Sequence, residues 1–262
     1  MSTAVKTPPA PARKAATKSG VKSTGNPTAV LTKALTKAPT RAPTKPPTSL
    51  TLSSKNYSSW SLRGWLMARF AGLRFDEVMV SPDDADAKKE ILLLSPSILV
   101  PCLSHEGIKV WDTLAIGEYL AEVVPTSALL PVDRAARAHC RAICGEMHSG
   151  FASLRSALPM NLKGDFPGYK VWGRAEGDIE RITAIWRECI ERFGGPYLFG
   201  KTRCMADAMY APVATRFLTY HVKLDRTSIL YCQTIMQMPE MQEWIAAAKR
   251  EPDDYEELDM EF

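Results

Sequence analysis

The spacing of apolar side chains changes along the first half of the chain, from every second residue, as in a strand, to every third or fourth residue, as in a helix. Residues Ser49 to Ser54 alternate apolar and polar side chains, which predicts a half-buried strand, and Lys55-Asn56 supplies turn chemistry. From Trp60 to Gly72 apolar side chains recur every three or four residues, which predicts a helix. Ser58 or Ser59 is the natural N-cap of that helix, because a serine hydroxyl accepts a hydrogen bond from an unpaired amide of the first turn.

The next segments continue as a small α/β unit. The same two periodicities predict a strand, a helix, two strands and a helix, over Arg74–Val80, Asp83–Leu94, Cys102–His105, Ile108–Trp111 and Thr113–Val124. Strands joined through helices favour parallel pairing, whereas the short Glu106-Gly107 connection favours an antiparallel hairpin at one edge. We therefore expect an α/β domain over residues 49–126 with a mixed sheet.

Only helical patterns follow Pro131. They cover Arg134–Ala157, Gly173–Phe193, Met205–Tyr220, Ser228–Met236 and Glu240–Lys249. We expect them to form an all-helical domain over residues 133–255, so that two small domains share an interface. The chain ends in an acidic stretch, Glu251–Phe262.

The first 48 residues differ from the rest in composition and charge. They hold nine basic residues and no acidic one, whereas the whole chain holds 33 basic and 29 acidic residues, so this arm carries +9 and the remainder −5. Eight prolines and few large apolar side chains leave little to form a core, so we expect residues 1–48 to be disordered. One interpretation is a solubilising tail, and another is weak, non-specific contact with a polyanion such as DNA. A mitochondrial presequence is disfavoured, because the arm is rich in proline and lacks amphipathic periodicity.

Hydroxyl groups cluster where the first strand gives way to the first helix, in the stretch YSSWSLR that runs from Tyr57 to Arg63. Unpaired amides at a helix start, the helix dipole and several hydroxyls together favour the binding of an anion. An ordinary N-cap is the alternative, and this stretch alone does not decide between the two.

Three motifs together resemble the glutathione transferase family, in its zeta and related bacterial serine-type classes. Ser58–Arg63 is similar to the serine run that opens the first helix, Ser95–Pro101 to the loop that leads to a cis-proline, and Asp112–Ile116 to an acidic-Ser-x-Ala-Ile motif. They occur in the family's order at suitable spacing, and the similarity extends over nearly everything after residue 48. The resemblance implies an α/β thioredoxin-like domain followed by an all-α helical domain, with the disordered basic arm in front.

The resemblance also implies which residues bind glutathione. Ser58 matches the residue that activates the thiol, and Ser59 is the second choice. Val100 would pair its backbone with the cysteinyl backbone of glutathione, held by a cis Pro101. Asp112 and Thr113 would hold the ammonium and carboxylate of the γ-glutamyl end.

The second substrate would lie between the two domains, against the first helix of the helical domain. Candidate contacts there are three adaptable apolar residues, one histidine and one arginine: Met147, Phe151, Met160, His148 and Arg155. The apolar three are equally compatible with a core position. His148 is either an acid or anion ligand or a structural residue, and Arg155 either binds an acidic substrate or forms surface pairs.

The six cysteines are expected to be reduced, in a cytoplasmic protein. They include no Cys-x-x-Cys pair, and no apolar run is long enough to span a membrane. Cys140, Cys144 and His148 are spaced by four, but structural zinc sites usually recruit close-set pairs from two separate elements, so we expect buried thiols and no metal.

These observations favour a homodimeric glutathione transferase that uses glutathione as co-substrate and attacks a small hydrophobic electrophile. One alternative is a glutathione-dependent cis–trans isomerase of the maleylacetoacetate type, although Trp60 stands where zeta members carry cysteine. A further alternative is a non-catalytic binding protein that is localised by its basic arm.

Overall fold

Four short strands form one mixed sheet in the computed structural model, which describes residues 48–80, 99–171 and 173–252. The strands are β1 (Ser49–Leu52), β2 (Asp76–Met79), β3 (Cys102–His105) and β4 (Ile108–Trp111), in the spatial order β2-β1-β3-β4. β1 and β2 are parallel, whereas β3 is antiparallel to both β1 and β4. The hairpin predicted at Glu106-Gly107 is confirmed, and this arrangement is the thioredoxin-like one that the resemblance implies.

Several predicted features lie outside the described residues. They are the basic arm except Thr48, the helix Asp83–Leu94 with the loop through Ile98, and the acidic end beyond Pro252. The expectations for these segments stay predictions.

Eight α-helices occur within the described ranges. They are α1 (Ser59–Phe70), α2 (Thr113–Val123), α3 (Arg134–Ser149), α4 (Ala152–Ala157), α5 (Gly173–Phe193), α6 (Met205–Thr219), α7 (Arg226–Met236) and α8 (Pro239–Ala248). The predicted boundaries of α5 are met at both ends, and those of α1, α2, α6, α7 and α8 within two residues.

The prediction of one continuous helix from Arg134 to Ala157 is wrong. Helix α3 ends at Ser149, and Phe151 adopts a left-handed conformation with φ 58° before α4 begins. The carboxylate of Asp178, on α5, accepts a hydrogen bond from the Leu154 amide at 2.8 Å. This bond satisfies an amide in the first turn of α4 from a distant part of the chain, so periodicity alone does not reveal the break.

Helices α1 and α6 lie at the centre of one continuous core. Every residue of α6 from Met205 to Phe217 is buried, and α1 packs against α6. Leu62, Trp65 and Leu66 of α1 are fully buried in the same core. Because the two helices come from the two halves of the sequence, their packing joins the α/β half to the helical half. The division into domains at residues 126 and 133 stays a prediction. No helix in the described ranges is both long enough and apolar enough to cross a lipid bilayer.

Candidate active site

The hydroxyl cluster lies at the start of α1, with Ser58 as its N-cap. The Ser58 hydroxyl accepts a hydrogen bond from the Ser61 amide at 3.3 Å and donates to the Ser61 hydroxyl at 2.9 Å. Ser58 is half-buried, and its hydroxyl lies at the start of the first helical turn. Such a position suits contact with an anion.

Ser59 points into the core. It is fully buried, and its hydroxyl accepts a hydrogen bond from Arg63 Nη1 at 2.9 Å. Arg63 is itself buried and donates from Nε to the Met209 carbonyl at 2.8 Å. The structure therefore separates the two candidate serines, and Ser58 is the more accessible of the two.

The loop before β3 packs tightly against α1. The Val100–Pro101 peptide bond is cis, as the resemblance implies, and Pro101 is buried while Val100 is half-buried. A Cβ atom placed on Gly64 of α1 would lie 2.5 Å from Pro101 Cγ. A glycine at this position therefore allows α1 and the Val100–Pro101 segment to make their close approach.

Asp112 is the N-cap of α2 and is held in an unusual conformation, with φ 75° and ψ 134°. Its Oδ1 atom accepts hydrogen bonds from the amides of Leu114 at 2.8 Å and Ala115 at 3.3 Å. Its Oδ2 atom lies 2.5 Å from Nε2 of His148. From the sequence, Asp112 is a candidate contact for glutathione and His148 for the electrophile, whereas in the structure their side chains contact each other directly.

Thr113 is only 2% exposed, and its hydroxyl makes no hydrogen bond to any group in the part of the chain that the structure describes. A buried hydroxyl without a partner costs about 1–3 kcal/mol. Thr113 begins α2 and follows Asp112, so this hydroxyl lies where the helix dipole favours a carboxylate. The start of α2 therefore places the Asp112 carboxylate beside a buried hydroxyl, and the assignment of both residues to the γ-glutamyl end of glutathione stays a prediction.

Trp60 lies among three side chains that can carry positive charge. The guanidinium carbons of Arg63 and Arg155 lie 4.4 Å and 5.7 Å from its ring centroid, and the His148 ring packs edge-on at 5.4 Å. His148 and Arg155 are half-buried, so both side chains retain some exposed surface. Trp60 precedes Arg63 by three residues, and an aromatic residue at that helical spacing from an arginine is a signal in the sequence for this stacking.

The three apolar candidates for the electrophile site are core residues. Met147 is 0%, Met160 1% and Phe151 8% exposed, and all three belong to the continuous core. These positions agree with core packing, the alternative already given above, and their assignment as electrophile contacts stays a prediction. His148 and Arg155 remain candidates.

Cys140, Cys144 and Cys189 are buried, free thiols. Burial raises the pKa of the Cys144 thiol above its usual value and that of Cys189 to about 12, so both are protonated at neutral pH. His148, which shares the spacing of Cys140 and Cys144, faces Asp112 instead. Within the described ranges no group of three or more His, Cys, Asp or Glu side chains is placed to hold a metal ion.

Known proteins with similar sequence or structure were found in three comparisons. The family model for the glutathione S-transferase N-terminal domain matches residues 57–123. A Caenorhabditis elegans protein described as probable maleylacetoacetate isomerase is 30% identical over 164 residues, which are 61% of this chain and 75% of that protein.

Two solved structures cover 78% of this chain and 99% of their own, each with a TM-score of 0.60. One is a glutathione transferase homologue from Burkholderia with bound glutathione, at 23% identity. The other is maleyl pyruvate isomerase, a bacterial glutathione S-transferase of the zeta class, at 21% identity. At these identities the two structures establish the fold alone.

Proposed function

The chain belongs to the glutathione transferase family, and we propose that it binds glutathione between the starts of α1 and α2 and directs its thiolate to a small hydrophobic electrophile. The observation that carries this proposal is the buried Thr113 hydroxyl, which lacks a partner among the described residues and lies beside the constrained Asp112 carboxylate. A free α-amino acid group supplies an ammonium for Asp112 and a carboxylate for Thr113 and the α2 amides.

Ser58 is the residue that we propose to activate the thiol. A thiol with a resting pKa near about 8.5 is only a few per cent ionised at neutral pH, and lowering that pKa by about two units requires ~2.7 kcal/mol. The Ser58 O–H, which faces the Ser61 hydroxyl in the free protein, must turn to the sulfur when glutathione binds. A hydroxyl that donates to the thiolate then supplies about 1.5–3 kcal/mol. The start of α1 adds about 0.3–1 kcal/mol. Together the two contributions amount to about 1.8–4 kcal/mol, a range that includes the required ~2.7 kcal/mol, so the proposal invokes no general base.

The backbone of Val100 is proposed to pair with the cysteinyl part of glutathione, which would orient the thiol toward Ser58. This assignment is supported by the half-buried Val100 beside the buried Pro101, and by the packing of Pro101 against Gly64 on the helix that Ser58 caps. Ser59 is not retained as a thiol contact in the proposal, because its hydroxyl is bonded to Arg63 inside the core.

The electrophile is proposed to lie against Trp60. Its half-buried ring offers an apolar surface, and Arg155 and His148 beside it would stabilise negative charge that develops on the electrophile during attack. The same two side chains favour a second candidate function, glutathione-dependent cis–trans isomerisation of an acidic substrate. This candidate also agrees with the description of the relative from Caenorhabditis elegans. An isomerase would turn over its substrate without consuming glutathione, which separates the two activities in one assay.

A homodimer and a cytoplasmic location complete the proposal, on the basis of the family resemblance. The proposed polyanion contact of the basic arm involves residues outside the described part of the chain. Deleting residues 1–48 should remove any salt-sensitive DNA binding, and binding that persists would exclude this role for the arm.

Calorimetric titration with glutathione and with its S-hexyl conjugate tests the proposal. We expect binding in the micromolar to low-millimolar range, tighter for the conjugate because its alkyl group gains apolar contact beside Trp60. Absence of binding to either compound would contradict the proposal and favour a non-catalytic protein.

A further inference from the structure

The turn that precedes Ser58 runs from Ser54 to Tyr57 and makes several hydrogen bonds. The Ser58 amide donates to the Ser54 carbonyl at 3.0 Å, so the position of Ser54 determines where the N-cap of α1 begins. The Ser54 hydroxyl in turn accepts hydrogen bonds from the amides of Asn56 at 3.2 Å and Tyr57 at 3.3 Å. A displacement of the turn from Ser54 to Tyr57 would therefore be transmitted to Ser58.

Glu251, close to the other end of the chain, binds this turn with both carboxylate oxygens. Its Oε1 atom accepts a hydrogen bond from the Lys55 amide at 2.6 Å. Its Oε2 atom accepts from the Asn56 amide at 3.0 Å and from the Ser54 hydroxyl at 2.7 Å. Three donors of one short turn thus converge on one carboxylate, and hydrogen bonds to an ionised acceptor are about twice as strong as neutral ones.

Neighbouring residues fix both partners of this contact. The Glu251 carbonyl accepts a hydrogen bond from Lys163 Nζ at 2.5 Å. On the side of the turn, the Asn56 side chain accepts from the amides of Leu162 at 2.7 Å and Lys163 at 3.1 Å. Trp244 of α8 donates from Nε1 to the Lys55 carbonyl at 2.8 Å. The turn is therefore clamped by segments that follow it by more than 100 residues.

We propose that Glu251 is a positioning residue for the thiol-activating site, whose carboxylate holds the turn from Ser54 to Tyr57 and through it the Ser58 hydroxyl. This inference rests on the role proposed for Ser58. A hydroxyl stabilises a thiolate only when its O–H points at the sulfur, and a displacement of about 1 Å at a reacting group can lower a rate by about 10²-fold. Glu251 itself does not contact the thiol in this proposal.

Glu251→Gln in the full-length chain is the informative variant. The amide has nearly the shape of the carboxylate, but its NH2 group must face an N–H donor of the turn, so the variant removes acceptor capacity while preserving packing. Glu243→Gln is the matched control. Glu243 is an exposed residue of α8 whose carboxylate pairs with Arg69 at 2.6 Å.

In Glu251→Gln we expect kcat at pH 7 to fall by about 10–100-fold. The pH at which kcat/KM reaches half its maximum should move upward, because a misplaced hydroxyl stabilises the thiolate less. The KM for glutathione should stay within about twofold of the original, because Asp112 and Thr113 are untouched. Glu243→Gln should match the unsubstituted protein in all three quantities. An unchanged kcat and pH profile in Glu251→Gln would overturn the proposal, and so would a loss confined to KM.

Amide hydrogen exchange gives a readout that does not depend on glutathione. We expect faster exchange over residues 54–58 in Glu251→Gln than in Glu243→Gln, and equal exchange would overturn the proposal even if activity falls. If the unsubstituted protein binds no glutathione, the proposed function fails. If exchange over residues 54–58 is nevertheless faster in Glu251→Gln, Glu251 stabilises the turn but has no catalytic site to position, which also overturns the inference.

Discussion

His148 Nε2 lies 2.5 Å from Asp112 Oδ2, so the last turn of α3 contacts the residue that caps α2. The other oxygen of Asp112 binds the first amides of α2, and the backbone of Asp112 has φ 75°. Such a conformation costs about 1–3 kcal/mol and persists only where its surroundings hold it. Because both carboxylate oxygens are engaged, the side chain helps to hold the strained backbone. We infer that His148 orients Asp112 for the γ-glutamyl ammonium.

Replacing His148 with Phe tests this relationship. The variant keeps an aromatic ring beside Trp60 but removes the hydrogen bond to Asp112. A typical hydrogen bond contributes about 1 kcal/mol, so we expect the Kd for glutathione to rise about fivefold. The kcat at saturating glutathione should also fall, because the variant removes the imidazole proposed to stabilise negative charge on the electrophile. His148→Gln, whose amide can still donate, should retain most of the affinity. Equal affinity of His148→Phe and the unsubstituted protein in calorimetric titration would contradict this role.

The two serines at the start of α1 should give opposite phenotypes. Ser58→Ala removes the hydroxyl proposed to stabilise the thiolate, which is worth about 1.5–3 kcal/mol. We therefore expect kcat at neutral pH to fall by about 10–150-fold, with little change in the Kd for glutathione. Steady-state kinetics with an electrophilic substrate provides the measurement, and full activity of Ser58→Ala would exclude the assigned role.

Ser59→Ala should instead affect stability. It removes the acceptor of Arg63 Nη1 inside the core, and a buried donor that loses its partner costs about 1–3 kcal/mol. We expect a lower denaturation midpoint and nearly normal kcat per folded molecule. If Ser59→Ala abolishes catalysis while unfolding at the usual denaturant concentration, the thiol contact belongs to Ser59.

Thr113→Val should have opposite effects on stability and on binding. In the free protein the change replaces a buried hydroxyl that lacks a partner among the described residues by a methyl group of similar size. The free energy of unfolding should therefore stay constant or rise by up to about 1–3 kcal/mol. Glutathione affinity should fall, because a hydrogen bond to the γ-glutamyl carboxylate is lost, and Thr113→Ser should restore it. Chemical denaturation and calorimetric titration measure the two effects, and unchanged affinity in Thr113→Val would refute the contact.

The parts of the fold that were predictable depend on local patterns. Helix α5 has an uninterrupted amphipathic period, and its boundaries match the prediction, whereas the break between α3 and α4 involves Asp178, which lies 24 residues from its bonding partner Leu154. The same distinction holds at the site. The cap at Ser58 follows from local sequence, but the burial of Ser59 depends on the packing of Arg63 against Met209. The contact of Glu251 with Asn56 spans 195 residues, and no periodicity in a single sequence reports it.

The close approach of α1 to Pro101 makes Gly64 a sensitive position. The added methyl group in Gly64→Ala would lie 2.5 Å from Pro101 Cγ and 2.9 Å from Pro101 Cβ, so the helix or the loop must shift. Overpacking of this kind costs typically about 1–3 kcal/mol. We expect a reduced free energy of unfolding together with weaker glutathione binding, since Val100 would move with Pro101.

Gly145→Ala is the matched control for this prediction. Gly145 lies inside α3, and a Cβ atom placed there meets no atom within 4 Å. Because alanine favours a helix over glycine by about 1 kcal/mol, this variant should raise the free energy of unfolding and leave glutathione binding unchanged. Chemical denaturation and calorimetric titration of both variants provide the comparison. If Gly64→Ala is as stable as Gly145→Ala and binds glutathione equally well, the contact between α1 and Pro101 does not constrain the site.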